Sequence, residues 1–130
     1  MNPDIPLSPQ AQALIQTLTQ GATPQVRGVS LEVPPLVENG NLVEVSVEVE
    51  SPMTALQHVK AIHLVSGNNP SPRVLSVQFS PENGVARIRT RMRMADSQQL
   101  VALVQDSDGG WRMAKKQSLV TLSACLEGLI

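Results

Sequence analysis

Val43, Val45, Val47 and Val49 alternate without interruption with Glu44, Ser46, Glu48 and Glu50. A period of two yields one apolar and one polar face only in extended backbone, because a helix needs its apolar residues three or four positions apart. The segment is therefore a half-buried strand whose valine face belongs to a core. Val29, Leu31 and Val33 repeat the alternation ahead of Pro34-Pro35. Further strands are expected over Val59 to Val65, Val74 to Phe79, Val85 to Met94, Leu100 to Val104 and Trp111 to Leu122. The intervals carry turn chemistry: Glu38-Asn39-Gly40-Asn41, Ser51-Pro52, Gly67-Asn68-Asn69-Pro70, Pro81-Glu82-Asn83-Gly84 and Asp106-Ser107-Asp108-Gly109-Gly110. Gly, Asn and Pro supply the backbone conformations that chain reversals require. About seven short strands with no helix between them predict an all-β chain, an immunoglobulin-like antiparallel β-sandwich. The cysteine-tryptophan-cysteine pattern of antibody domains is absent, which removes that subclass.

The period differs near the start. Ser8-Pro9 followed by Ala11, Leu14, Ile15 and Leu18 reads as a capped helix start with an apolar stripe at helical spacing, and Gly21 can end it. The 130 residues suffice for one domain. The expected layout is a short N-terminal helical appendage over residues 1–25, the sandwich over residues 26–122 and a tail over residues 123–130. With one Phe, one Trp and no Tyr, the core has to be built from Val, Leu, Ile, Ala and Met, and little is left for stacking on nucleic-acid bases.

A net charge of -1 lacks the cationic excess that a general nucleic-acid or membrane-surface binder uses to displace counterions or meet anionic lipid. No apolar stretch approaches the roughly 20 residues that cross a bilayer. The opening Met1-Asn2-Pro3-Asp4 has neither the basic start nor the apolar centre of a signal peptide. The expectation is a cytoplasmic protein or a mature exported form with an added Met.

Arg87, Arg89, Arg91 and Arg93 alternate with Ile88, Thr90, Met92 and Met94, so four guanidinium groups share one strand face. Like charges in a row repel, and the face of Glu44, Glu48 and Glu50 can supply the carboxylates that compensate them. A partner protein or an anion can do so instead, which makes the stripe either a solvated, partly paired face or a docking surface. His58 and His63, five apart in one strand candidate, should point to opposite faces and are poorly placed to share a metal. Asp106, Asp108 and the following glycines resemble part of a calcium loop, but lack its third acidic position and distal Glu, so a hairpin turn explains them better. No Gly-x-Ser-x-Gly or Gly-x-x-x-x-Gly-Lys motif occurs. No catalytic residue, metal site or cofactor is assigned.

Cys125 is the one cysteine, five residues from the end of the sequence. It excludes an internal disulfide and leaves an intermolecular one open. Two readings stand side by side. A thiol on a chain end can travel to other proteins, since such segments are tethered on one side only. Alternatively it packs as a small hydrophobe, because Leu122, Leu126 and Leu129 share a face at helical spacing.

Several stretches resemble the SoxY family, the carrier subunits of the periplasmic sulfur-oxidation (Sox) system. They are Val37-Glu38-Asn39-Gly40-Asn41, Val47-Glu48-Val49-Glu50-Ser51-Pro52-Met53-Thr54, His58-Val59-Lys60-Ala61-Ile62-His63, Asn69-Pro70, Thr90-Arg91-Met92-Arg93-Met94-Ala95 and Ser107-Asp108-Gly109. The resemblance implies a carrier, not an enzyme. It also implies pairing with a SoxZ-like sandwich subunit, traffic with Sox pathway enzymes, and export to the periplasm. In the family a cysteine at the end of the chain holds thiosulfate and its oxidation intermediates covalently, and Cys125 falls where that cysteine belongs. The flanking residues depart from the family pattern, Gly-Gly-Cys-Gly-Gly, and read Ser123, Ala124, Leu126 and Glu127. Glycines make such an arm pliable; these residues do not, and the Glu127 carboxylate disfavours a nearby thiolate. Two functions follow: a sulfur carrier with an altered arm, or a homologue that keeps the sandwich as an interaction scaffold. A homo-oligomer or a disulfide-linked dimer is open in either case.

Overall fold

The alternation of the sequence becomes an alternation of burial. Val43, Val45, Val47 and Val49 are at most 4% exposed, whereas Glu44, Glu48 and Glu50 stand in solvent. The computed structural model of the chain describes residues 3–121. Its elements are α1 (Pro9–Thr19), β1 (Val29–Glu32), β2 (Leu36–Val37), β3 (Val43–Val49), β4 (Val59–Ser66), β5 (Arg73–Gln78), β6 (Ala86–Met92), β7 (Gln98–Asp106) and β8 (Trp111–Val120), with a short 3-10 turn at Pro81–Asn83. The strands form two sheets, a three-stranded one in the order β1-β3-β6 and a five-stranded one in the order β2-β8-β7-β4-β5. This is the expected immunoglobulin-like sandwich with a short N-terminal helix. No helix among the described residues is long and apolar enough to cross a membrane.

Between the sheets lie Leu31, Val45, Val47, Val49, Ala86 and Met92 from one side and Ile62, Leu64, Leu100, Ala102 and Val104 from the other, joined by Met53 and Met94. The core is thus aliphatic and thioether, as the scarcity of aromatic residues requires. A second cluster forms on the outer face of the larger sheet. Val65, Val101 and Leu103 pack there with Ala11 of α1, and Leu7, Leu14, Ile15 and Leu18 close around them. α1 begins where Ser8 Oγ accepts a hydrogen bond from the Ala11 N–H and Pro9 occupies the first turn. It ends at Gln20, in the left-handed conformation, followed by Gly21 at φ +84°. β7 is consequently buried on both faces from Gln98 to Val104. Its unalternating Leu-Val-Ala-Leu-Val run is the sequence of a strand covered twice.

Three details differ from the sequence expectation. The two-residue strand β2 adds an eighth strand, and it pairs parallel to β8 where every other ladder is antiparallel. β6 stops at Met92 instead of reaching Met94. The cause is Asn69, whose side chain donates to the Arg93 carbonyl (2.7 Å) and accepts from the Ala95 N–H (2.9 Å) and Gln98 Nε2 (2.9 Å). Those bonds take the backbone of residues 93–95 away from β3, and Met94 N–H turns instead to the Gly40 carbonyl. Finally, His58 lies ahead of β4 and not within it, so it shares no strand with His63.

Candidate functional site

The cysteine-bearing segment follows β8 in the sequence, and the end of that strand is held by a set of hydrogen bonds. Ser118 Oγ donates to the Pro34 carbonyl (2.6 Å), Leu119 N–H to the Pro35 carbonyl (2.9 Å) and Thr121 N–H to the Val37 carbonyl (2.9 Å). From the other side, Ser97 Oγ accepts from Val120 N–H (2.8 Å). Proline makes this edge workable, because Pro34 and Pro35 lack an N–H but keep the carbonyls that β8 uses. Cys125 and its neighbours Ser123, Ala124, Leu126 and Glu127 lie outside the described residues. Their attachment point is defined: Cys125 follows Thr121 by four residues, so covalent geometry keeps its Cα within about 14 Å of Thr121.

The surface beside that attachment point is apolar. Leu36 and Leu119 are register partners of β2 and β8, with Val37 and Val120 turned inward beside them. Leu36 is 60% exposed, Leu119 36% and Leu42 64%. Leu36 and Leu42 line a groove with Pro34, Val37, Glu44 and Arg91.

The arginine face adjoins this groove. β6 lies against β3 in the register Arg91↔Glu44, Arg89↔Ser46 and Arg87↔Glu48. Arg91 Nε stands 3.8 Å from Glu44 and Arg87 Nη1 3.6 Å from Glu48. All four side chains are largely exposed, so each pair contributes only about 0–1 kcal/mol. Arg89 faces Ser46, and Arg93 lies past the end of β6; among the described residues neither forms an ion pair. Glu50 does not compensate the stripe either. It sits beyond the end of β3, where its N–H donates to the Gly28 carbonyl (2.9 Å).

A buried ion pair went unread in the sequence. Arg112, 5% exposed, donates from Nε and Nη2 to the two carboxylate oxygens of Asp106, both at 2.7 Å. Asp106 also opens the β7–β8 hairpin, where its N–H donates to the Gly110 carbonyl (2.9 Å) and Gly109 takes φ +87°. The aspartates of this loop thus serve a turn and an ion pair. The available signal was the spacing of Asp106 and Arg112 across a tight Gly-Gly reversal.

His63 and His58 have unrelated surroundings. His58 Nδ1 meets the Thr54 carbonyl at 2.9 Å, whereas His63 Nδ1 meets Ser76 Oγ at 2.6 Å and its ring lies 5.9 Å from that of Trp111. Ser76 Oγ also accepts from Arg73 Nη1 (2.7 Å), which holds the guanidinium charge close to the imidazole. Burial and then the Arg73 charge push the His63 pKa below 6.5. Folding therefore favours the unprotonated ring: its contribution is complete above the unfolded value and is lost as pH falls from about 6.5 through the lower folded value. The thermal midpoint is expected to drop between about pH 7.5 and pH 5.5, and to drop less in His63→Gln. Equal slopes in the two proteins would remove His63 as the cause. No three His, Cys, Asp or Glu side chains among the described residues converge on a metal position.

The family model described as "Sulfur oxidation protein SoxY" matches residues 15–125 of this sequence. The chain belongs to the SoxY family. A solved relative, the sulfur carrier protein SoxY from Chlorobium limicola f thiosulfatophilum, superposes with a TM-score of 0.72 at 26% identity, covering 85% of this chain and 91% of that one. Superoxide reductase (neelaredoxin) from Ignicoccus hospitalis follows with a TM-score of 0.64 at 21% identity over 72% of this chain and 80% of its own. A putative superoxide reductase from Thermotoga maritima gives 0.60 at 19%, with 75% and 87% covered. At that identity the reductases share the sandwich fold with SoxY and nothing further is carried over. No curated protein matches the sequence.

Proposed function

We propose that this SoxY-family chain is a sulfur carrier and not a catalyst, with Cys125 as the atom-bearing residue. The observation that supports it most is that the family match runs through residue 125, which is the one thiol in the sequence. The Cys125 thiolate couples to the outer sulfur of thiosulfate, forming an S–S bond and releasing two electrons to a redox partner. Alternatively it takes a sulfane sulfur by exchange with polysulfide. Ser123, Ala124, Leu126 and Glu127 flank the adduct and present it to Sox pathway enzymes. A SoxZ-like subunit is the proposed partner of the sandwich and the periplasm its compartment. Arg87, Arg89, Arg91 and Arg93 are the proposed partner- or anion-facing surface, with Arg89 and Arg93 carrying the uncompensated charge. The proposed layout keeps residues 1–25 as the helical segment, 26–122 as the sandwich and 123–130 as the tail.

Intact-protein mass spectrometry after exposure to polysulfide, or to thiosulfate with an oxidant, tests this reading. A reductant-sensitive sulfur adduct that fragmentation places on Cys125 is the expected result. Absence of any adduct, with Cys125 also resistant to alkylation, would favour the interaction-scaffold reading. That second reading draws on the apolar groove at the end of β8 and on the absence of glycine from the two positions on either side of Cys125.

A further inference from the structure

The three-stranded sheet runs β1-β3-β6, so β3 occupies one side of β6 and no strand among the described residues occupies the other. The register decides which backbone groups that leaves open. Glu50 N–H donates to the Gly28 carbonyl, and the residues of an antiparallel strand bond alternately to its two neighbours. Ser46 and Glu48 therefore bond towards β1, and Val45, Val47 and Val49 towards Thr90, Ile88 and Ala86 of β6. The N–H and C=O groups of Arg87, Arg89 and Arg91 face the open side. These are the residues whose side chains form the cationic stripe, so an open backbone edge and a row of charge coincide along a strand of seven residues. We propose that a protein partner adds an extended, antiparallel strand to this edge, with carboxylates at alternate positions opposite Arg87, Arg89 and Arg91 and apolar residues between them.

β3 shows what such a neighbour looks like. On its side of β6 it sets Glu44 and Glu48 opposite Arg91 and Arg87, with its valines turned to the core. It leaves Arg89 opposite Ser46, and the two ion pairs are loose, at 3.8 and 3.6 Å between exposed side chains. Directly opposed residues stand about 4.5–5.5 Å apart at Cβ, so a second acidic strand brings carboxylates to the stripe from its open side and supplies the one that Arg89 lacks among the described residues. The other face of the added strand meets Ile88, half-buried at the margin of the core, and extends the apolar layer. Main-chain bonds give affinity in this mode of recognition, and the alternate side chains give selectivity. The remaining edges fit less well. β1 has four residues and β2 two, too short for a stable added ladder, and β5 carries one charged residue, Arg73, bonded to Ser76. Like charges in a row also keep β6 from pairing with β6 of a second copy, so the stripe that excludes self-association selects an acidic strand.

The inference rests on the reading of the arginine face as partner-facing and names its ligand; carriage by Cys125 is independent of it. The probe is a capped peptide, acetyl-Thr-Glu-Val-Glu-Val-Glu-Thr-amide, titrated into the full chain and followed through backbone amide NMR shifts, which are expected to centre on Arg87 to Arg91. Replacing its glutamates by lysines, or substituting Arg89→Glu in the protein, is expected to weaken binding at least about tenfold. Arg89 is exposed, and an unchanged thermal midpoint confirms that the variant still folds. N-methylation of the glutamate nitrogens, which face β6 in the antiparallel arrangement, is expected to weaken binding at least about tenfold as well. N-methylation of the valine nitrogens, which face away, is expected to leave it unchanged. Equal affinity of the two methylated peptides would overturn strand addition while leaving the arginine face as a surface for anionic partners. No binding, or glutamate and lysine peptides that bind alike, would overturn both the inference and the reading beneath it. Self-association of the chain that is lost in Glu32→Lys would assign the edge to β1 of a second copy and overturn the separate partner.

Discussion

Asp106→Ala is expected to destabilise the fold by about 3–5 kcal/mol, because it strands the Arg112 guanidinium in a site where it is 5% exposed. Against a typical total of about 5–15 kcal/mol this is a large fraction. The loss comes less from the missing attraction than from the uncompensated charge left behind, for which the surroundings leave little room. Gly28, at φ +66°, comes so close that a Cβ there would lie 2.5 Å from Arg112 Nη1 and 3.2 Å from Glu50 Oε2. Urea titration of the wild type and the variant measures the effect, and a change below about 1 kcal/mol would contradict it. The double change Asp106→Leu with Arg112→Met removes both charges together and is expected to restore most of the stability. The pair sits at the start of β8 and the groove at its end, so both ends of the strand that leads to Cys125 are tied to the body of the sandwich.

Cys125→Ser is expected to abolish the sulfur adduct entirely and to change stability by no more than about 0.5 kcal/mol. A serine hydroxyl does not ionise near neutral pH and forms no S–S bond, whereas it preserves the size of the side chain. Because the sequence holds no other thiol, the same change should eliminate disulfide-linked dimers on oxidation. Mass spectrometry before and after reductant, with non-reducing electrophoresis for the dimer, reads both outcomes. An adduct that persists in the serine variant would place sulfur chemistry elsewhere in the chain and end the carrier proposal as stated.

Much of the architecture was legible because it depends on local period. The valines of residues 43–49 announced a strand and its buried face, and Ser8-Pro9 with Gly21 marked the ends of a helix. The uniqueness of Cys125 required only counting. What period cannot report is which element covers the second face of a strand or which strand lies beside it, since those depend on contacts between residues distant in sequence. The stripe of Arg87, Arg89, Arg91 and Arg93 was plain, but only the β3–β6 register decided that Glu44 and Glu48 meet two of them while Ser46 faces Arg89. Residue types and their faces along each strand were determined by the sequence itself. The covering of the second face of β7 by α1 and the pairing of Leu36 with Leu119 were decided by tertiary structure alone, because each joins segments far apart in the chain, whereas the Asp106–Arg112 pair closes within a single hairpin.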